Sequence, residues 1–289
     1  MALTINTNIS SLVAQKNLAS ATSRLNTAIE RMTTGYKINH AKDNAAGYSI
    51  MKNWTMQLSS LDVASDNTAT GIDMLTTLED TYALISDHLQ RIRDLTEQAA
   101  NGTYGDESKN AIEAEIKARL TEIERISANC EFSGLKLMDG SIDEAVNLQV
   151  GIYEDTNSQI AMDATLFTKA DIATLFAAAP VKTIDAVAKA CAGKDATNSA
   201  ASILTDIDTV VKAISSKVTD IGALQNRLES ASTAIAVQSE NITSSLSTLR
   251  DADVAEESSA YIQSQILQQA AATLLSTANQ TPSIALSLI

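Results

Sequence analysis

WTMQLSSLDVASDNTATGIDMLTTLEDTYALISDHL, residues 54–89, decides the fold of this chain. Trp54, Leu61, Thr68, Leu75, Tyr82 and Leu89 recur every seven residues, and Ala64, Gly71, Leu78, Ile85, Ile92 and Ala99 form a second column beside them. Two such columns are the seam of a coiled coil. The seam reaches from about Ala45 to Ala100, which is roughly 80 Å of helix at 1.5 Å per residue. Far down the chain Ile214, Ile221, Leu228, Ile235, Ile242 and Leu249 also recur every seven residues, so the two segments are natural partners.

Between these segments the punctuation changes. Asn101 to Asp106 holds two glycines and an Asn-Gly step and reads as a turn. A shorter helix follows from about Glu107 to Ala128, with Ile112, Ile116, Leu120, Ile123 and Ile126 on one face, and Leu135 to Ser141 reads as a Gly-punctuated loop. Alternation of Leu148, Val150 and Ile152, then Asp155-Thr156-Asn157-Ser158, then Ile160 and Met162, predicts a small β-hairpin within 146–163. Residues 165–200 are Ala-rich, broken by Pro180 and Gly193, and are expected to be short helices and loops on the surface. With 10 Gly, 2 Pro and 3% aromatic residues in 289, the composition disfavours a loop-rich enzyme or a sandwich and favours extended helices with small-residue seams. The predicted class is mainly α, a long helical hairpin or coiled-coil bundle with its terminal helices paired and the β-hairpin near its tip.

Both ends of the chain call for a partner. Glu257 is the last charged residue, and Ser258 to Ile289 contain no Asp, Glu, Lys, Arg or His. Gln263, Gln265, Gln268, Gln269, Asn279 and Gln280 stud this run, so it is not a membrane span. Ile262, Ile266, Ala270, Leu274 and Ala278 are spaced by four, beside Leu267 and Leu275, which makes a helix with one apolar and one neutral polar face. A lone helix gains nothing by omitting charge from its wet side, so both faces are expected to meet protein; an ordinary terminal helix packed on its own domain is the alternative. At the other end Ile5, Ile9 and Leu12 open a stripe that continues through Leu18, Ala21, Leu25, Ala28, Ile29 and Met32. The two ends are expected to pair.

Charge is uneven. Residues 1–52 carry six cations against Glu30 and Asp43, a net +4 in a chain of −14, so the remainder holds −18. The cations are spread singly along a helix without interleaved aromatics, which argues against nucleic acid. The opening Met-Ala-Leu-Thr-Ile-Asn-Thr shows no cleavable secretory signal, so the chain is expected either to stay inside or to leave by another route.

Catalytic candidates are weak. His40 and His88 have no second His or Cys at ligand spacing, and no phosphate loop, nucleophile arrangement or cofactor motif stands out. Cys130 reads as a half-buried thiol and Cys191 as a loop thiol, although spacing alone leaves their pairing open. Glu113, Glu115, Glu122 and Glu124 read as solvated helix faces, and the sequons at Asn8, Asn53, Asn101 and Asn241 as chance.

Several separate motifs, in order, carry a family resemblance. Ile5-Asn6-Thr7-Asn8, then Thr34-Gly35-Tyr36-Lys37-Ile38-Asn39 with Ala41-Lys42-Asp43-Asn44-Ala45-Ala46-Gly47, resemble bacterial flagellin. So do Gly222-Ala223-Leu224-Gln225-Asn226-Arg227-Leu228, Gln265-Ile266-Leu267-Gln268-Gln269-Ala270, Ala278-Asn279-Gln280 and Leu286-Ser287-Leu288. The likeness covers roughly residues 1–165 and 200–289, with a minimal variable insert between; the cysteines depart from the family's habit and leave the redox state open.

The resemblance implies a structural, self-assembling protein without cofactor or membrane insertion: a secreted, extracellular subunit of the flagellar filament. Residues 1–43 with 247–289 would be the terminal coiled coil lining the filament's inner tube, packed through Ile5, Ile9, Leu12, Leu18, Leu25, Ile262, Ile266, Ala270 and Leu274. Residues 44–246 would form the outer tube. The terminal helices would be disordered in the monomer. Export unfolded through the flagellar type III apparatus follows, with an export chaperone, the filament cap and the hook-associated junction proteins as partners. Gln90-Arg91-Ile92-Arg93-Asp94-Leu95 with Glu115 and Arg119 looks like the flagellin surface engaged by the vertebrate Toll-like receptor 5. Arg91 would supply bidentate pairing, Leu95 a pocket-filling side chain and Glu115 a rim carboxylate. The plainer reading is an ion pair across two packed helices, and that surface also meets neighbouring subunits in the family. A hook–filament junction protein is the nearest alternative, and the Gln-Ile-Leu-Gln-Gln-Ala and Leu-Ser-Leu closures favour flagellin. A chemoreceptor-type signalling coiled coil would need a transmembrane pair that the sequence lacks.

Overall fold

The computed structural model describes residues 7–176, 183–195 and 200–286, the side chains of 281–286 excepted. Along them run α1 (Ile9–Thr34), α2 (Ala45–Ala100), α3 (Asp106–Asn129), β1 (Glu131–Phe132), β2 (Leu135–Lys136), β3 (Val146–Gln149), β4 (Gln159–Met162), α4 (Ile172–Leu175), α5 (Ile184–Cys191), α6 (Ala200–Arg250) and α7 (Val254–Leu286). The class is the expected one: mainly helical, with two small antiparallel sheets. The chain divides into two compact units, Met1–Ser59 with Ser239–Ile289, and Ser60–Gln238, and α2 and α6 contribute to both.

In the first unit α1 begins at Asn8, whose side chain accepts from Ser11 N, and ends at Gly35, whose φ of 74° lets its N–H reach back to Arg31 O. That left-handed cap is cheap only for a residue without Cβ. The links between helices are stitched together: Lys37 N donates to Arg250 O at 2.6 Å and Ala252 N to Gly35 O at 2.9 Å. The Arg250 guanidinium lies 4.1 Å from the centre of the Tyr36 ring. Asn44 Oδ1 accepts from Gly47 N at the start of α2, and Asp253 Oδ1 from Ala255 N at the start of α7. The Thr34 to Gly47 motif is thus a set of caps and a two-link clasp.

α1 and α7 pair antiparallel, as the bonds Arg31–Glu257, Thr22–Gln268 and Ser11–Asn279 require. Their contact line keeps Ala21 and Ala28 of the stripe expected on α1 and departs from the one expected on α7. On α1 the buried residues are Ala14, Ala21 and Ala28, and on α7 they are Glu257, Ser264 and Ala271, each set seven apart. Leu18 and Leu25 are half-buried beside that line, while Met32 is exposed. Small side chains win the seam because they let the two backbones approach closely, and large aliphatics there would hold the helices apart.

In the second unit Leu75, Leu78, Tyr82, Ile85, Leu89 and Ile92 of α2 are buried with Ile116, Leu120 and Ile123 of α3 and Ile207, Ile214, Ile221 and Leu228 of α6. Both heptad columns therefore face inward. Arg93 Nε to Asp208 Oδ1 at 2.6 Å and Gln225 Nε2 to Glu79 Oε2 at 2.9 Å tie α2 to α6. β3 and β4 form the expected hairpin, in register Leu148 to Ile160. It lies hard against α2 at Gly71, where an added Cβ would stand 2.4 Å from Leu148 Cδ2.

Three expectations are corrected. A two-residue hairpin pairs Glu131–Phe132 with Leu135–Lys136, where only a loop from Leu135 was foreseen; two-residue strands have no periodicity to read. The described residues of the 165–200 stretch do not all lie at the surface: Leu166, Phe167, Ile172, Phe176, Val187 and Cys191 are buried. Its helix α5 lays an apolar face on α3, with Lys117–Asp185 at 2.5 Å and Lys194–Glu113 at 2.8 Å at the rim. Cys191 is therefore a buried helical thiol, Cys130 is buried too, and both are free. Burial pushes the Cys191 thiol up to about 11, which keeps it protonated and unreactive. Pro180, expected as a break, lies outside the described residues.

Candidate functional site

The alanine seam decides what the terminal pair exposes. Because contact with α7 falls on Ala14, Ala21 and Ala28, the large side chains of α1 turn outward: Ile9 is 66% exposed, and Leu12, Val13 and Ile29 are also exposed. On α7 the same happens to Ile262, Ile266 at 59%, Leu267 and Leu274 at 63%. Ala270 is exposed as well, whereas Gln268 is turned toward α1, donating to Thr22 Oγ1 at 3.0 Å. Ile5 lies outside the described residues. Large aliphatics on both helices of one pair make an apolar surface of a kind that marks protein contact.

Magnitudes show how weak the pair is alone. Burying an alanine methyl is worth about 0.8 kcal/mol, while fixing each backbone residue costs about 1–2 kcal/mol before its hydrogen bonds are counted. Arg31 Nη1 to Glu257 Oε1 at 3.0 Å adds one partly buried ion pair. A seam of small residues can set the spacing and register of two helices without making them stable in isolation. The stripe expected on α1 holds Ala21 and Ala28 but not Ala14, and it does not separate these alanines, at intervals of seven, from the larger residues beside them.

The second surface lies in the second unit on α2 and α3. Arg91 Nε donates to Glu115 Oε1 at 3.1 Å, and Arg119 donates to the same oxygen through Nε and Nη2, each at 3.2 Å. One carboxylate thus gathers two guanidinium groups, all three side chains remaining between 32 and 48% exposed. Partial burial pushes the Glu115 pKa up, but the hydrogen bonds from Arg91 and Arg119 outweigh it and hold the carboxyl below its ordinary value. Gln90 is exposed and reaches Asp94 Oδ1 at 3.4 Å. Arg93, in the same motif, is turned to α6 and Asp208. Leu95 departs from expectation: it is 3% exposed and belongs to the unit's own core, so its side chain cannot fill a partner's pocket while the core is intact. It anchors α2 beneath the charged patch.

Among the described residues no group of three His, Cys, Asp or Glu side chains could hold a metal ion, and no helix is long and apolar enough to cross a membrane.

Comparison with known proteins matches both ends of this architecture. Residues 5–143 match the bacterial flagellin N-terminal helical region, and residues 204–289 the C-terminal helical region. The chain is 33% identical over 285 residues to a flagellin of Halalkalibacterium halodurans, covering 99% of each. It is 31% identical over 290 residues to the flagellar filament 33 kDa core protein of Treponema phagedenis, again covering 99% of each. Among solved structures, a putative flagellar hook-associated protein from Vibrio parahaemolyticus shares the fold, with a TM-score of 0.60 and 15% identity over 72% of this chain and all of that one. The chain belongs to the bacterial flagellin family, structural and non-enzymatic subunits of the extracellular flagellar filament.

Proposed function

We propose that the outward aliphatic faces of α1 and α7 are the surfaces through which copies of this chain pack as the inner tube of the filament, residues 1–43 and 247–289 forming that layer and 44–246 the outer one. One observation carries this: the terminal pair is closed by alanines, Ser264 and Glu257, while Ile9, Leu12, Ile262, Ile266 and Leu274 are exposed. Burying each of those aliphatic side chains against a neighbour is worth about 1.5–3 kcal/mol, against about 0.8 kcal/mol for each alanine methyl of the seam. The uncharged run from Ser258 fits the same place, since a charge there would be buried without a partner. Export through the flagellar type III apparatus, and dealings with an export chaperone, the filament cap and hook-associated junction proteins, follow from this role. The experiment is Ile266→Lys: filament formation, followed by electron microscopy and sedimentation, should be lost, because an unpaired buried charge costs several kcal/mol. Monomer helicity should hardly change at a position 59% exposed. Normal filaments from this variant would overturn the reading.

A second reading has its own supporting observation. The half-exposed cluster of Arg91, Glu115 and Arg119, with Gln90 beside it, presents a guanidinium able to exchange its intramolecular partner for one on Toll-like receptor 5. Arg91→Ala should weaken receptor binding by the monomer by about 1–3 kcal/mol with little loss of thermal stability, since an exposed ion pair contributes under about 1 kcal/mol. Unchanged affinity per folded molecule would remove this reading and leave the cluster as an ion pair between α2 and α3.

A further inference from the structure

A cavity of about 110 Å³ lies in the second unit, between α6 and the segment that follows β4. Its walls are largely aliphatic, from Ala170, Leu175, Val210, Ala213 and Ile214, and at one side stands the amine of Lys217. Lys217 Nζ donates to Thr168 Oγ1 and, at 3.4 Å, to Tyr82 Oη, and it sits 5.6 Å from the centre of the Tyr82 ring. Tyr82 Oη donates onward to Leu166 O at 2.8 Å, so it meets the amine as an acceptor. Thr168 and Tyr82 are both neutral, and no described carboxylate pairs with this lysine. Lys169 also lines the cavity, but its ammonium is paired with Asp171 at 3.0 Å.

A half-buried ammonium without a counter-ion is unusual, because burying charge is favourable only when the charge is compensated. Burial alone acts on Lys217, pushing its pKa below the ordinary lysine value. Two of its three N–H groups are directed to hydroxyls, which leaves one for a ligand. An apolar cavity of about 150 Å³ accommodates benzene, with six heavy atoms, so the space here suits about four to six. The cavity offers one cationic end and an aliphatic remainder. Phosphate or sulfate would place uncompensated oxygens against Val210, Ile214 and Leu175, whereas a carboxylate on a short alkyl chain matches both ends.

We propose that the Lys217 cavity is a binding site for a short-chain aliphatic monocarboxylate, the carboxylate paired with Nζ and the alkyl chain directed toward Leu175, Val210 and Ile214. This inference is independent of how the subunits assemble. The test follows thermal unfolding of the full chain with increasing butyrate, against phosphate at matched ionic strength and against butyramide, the uncharged analogue. A saturable rise in Tm with butyrate alone is expected, and its loss in Lys217→Met, which retains the chain's bulk without the charge. No saturable rise overturns the proposal, as do an equal rise with phosphate or butyramide and a rise that persists in Lys217→Met. Should Lys217→Met fail to fold, the unmodified protein still decides: the NMR-detected titration midpoint of the Lys217 amine should move upward in butyrate, because a nearby carboxylate favours the ammonium. A midpoint that stays in place contradicts the site.

Discussion

Ala28 is 1% exposed where α1 meets α7, and a side chain one methyl long is what that position admits. Ala28→Leu adds three carbons to a closed contact, and overpacking of this kind costs about 1–3 kcal/mol. The effect should appear in assembly: a higher protein concentration needed to form filaments, measured by sedimentation, with the melting of the second unit unchanged. Filaments forming at the unaltered concentration would show that the seam is loose. The residue scale is also where the sequence is least transparent. Leu18, Leu25 and Met32 recur every seven residues just as Ala14, Ala21 and Ala28 do, and size alone draws attention to the larger set. Periodicity says that a face exists, but whether a face meets the same chain or another depends on how near two backbones come. Leu95 shows the converse. A motif of charged residues surrounds it, yet its spacing of three from Ile92 and four from Ala99 places it on the inward face.

At the scale of elements, two helical glycines make opposite predictions. Gly222 lies within α6 with nothing within 4 Å of where a Cβ would stand, whereas the Cβ at Gly71 of α2 would meet Leu148. Glycine in a helix interior costs about 0.5–1 kcal/mol relative to alanine. Gly222→Ala should therefore raise the melting temperature, and Gly71→Ala should give less or reverse the sign by displacing the β3–β4 hairpin. Adding Leu148→Ala to Gly71→Ala should relieve that contact; calorimetry of the three variants checks it, and identical gains at both glycines would contradict the packing of the hairpin on α2. Helix α2 was legible because its heptads run unbroken from Trp54 to Ala99 and Asn101-Gly102 ends them. The β3–β4 hairpin was legible by alternation. The burial of α4 and α5 was not: α5 has eight residues, too few for a period to establish itself, and Phe167, Phe176 and Val187 stand apart among alanines. Their burial depends on α3 and α6, whose exposed flanks only the folded chain reveals.

At the scale of the whole molecule, charge and exposed apolar surface follow the division into units. The unit built on α1 and α7 has seven basic and seven acidic residues, and the other has fourteen against twenty-eight, so the entire net charge of −14 lies in one of them. A neutral unit with outward aliphatics can be packed among copies of itself without net repulsion, and the charged unit keeps the free subunit soluble. If other subunits complete the terminal pair, the protein lacking residues 258–289 should show it, followed by circular dichroism and by electron microscopy under polymerising conditions. A soluble, helical subunit is expected, whose second unit melts as in the full chain and which forms no filaments. Filaments of normal length and diameter from the shortened protein would contradict it.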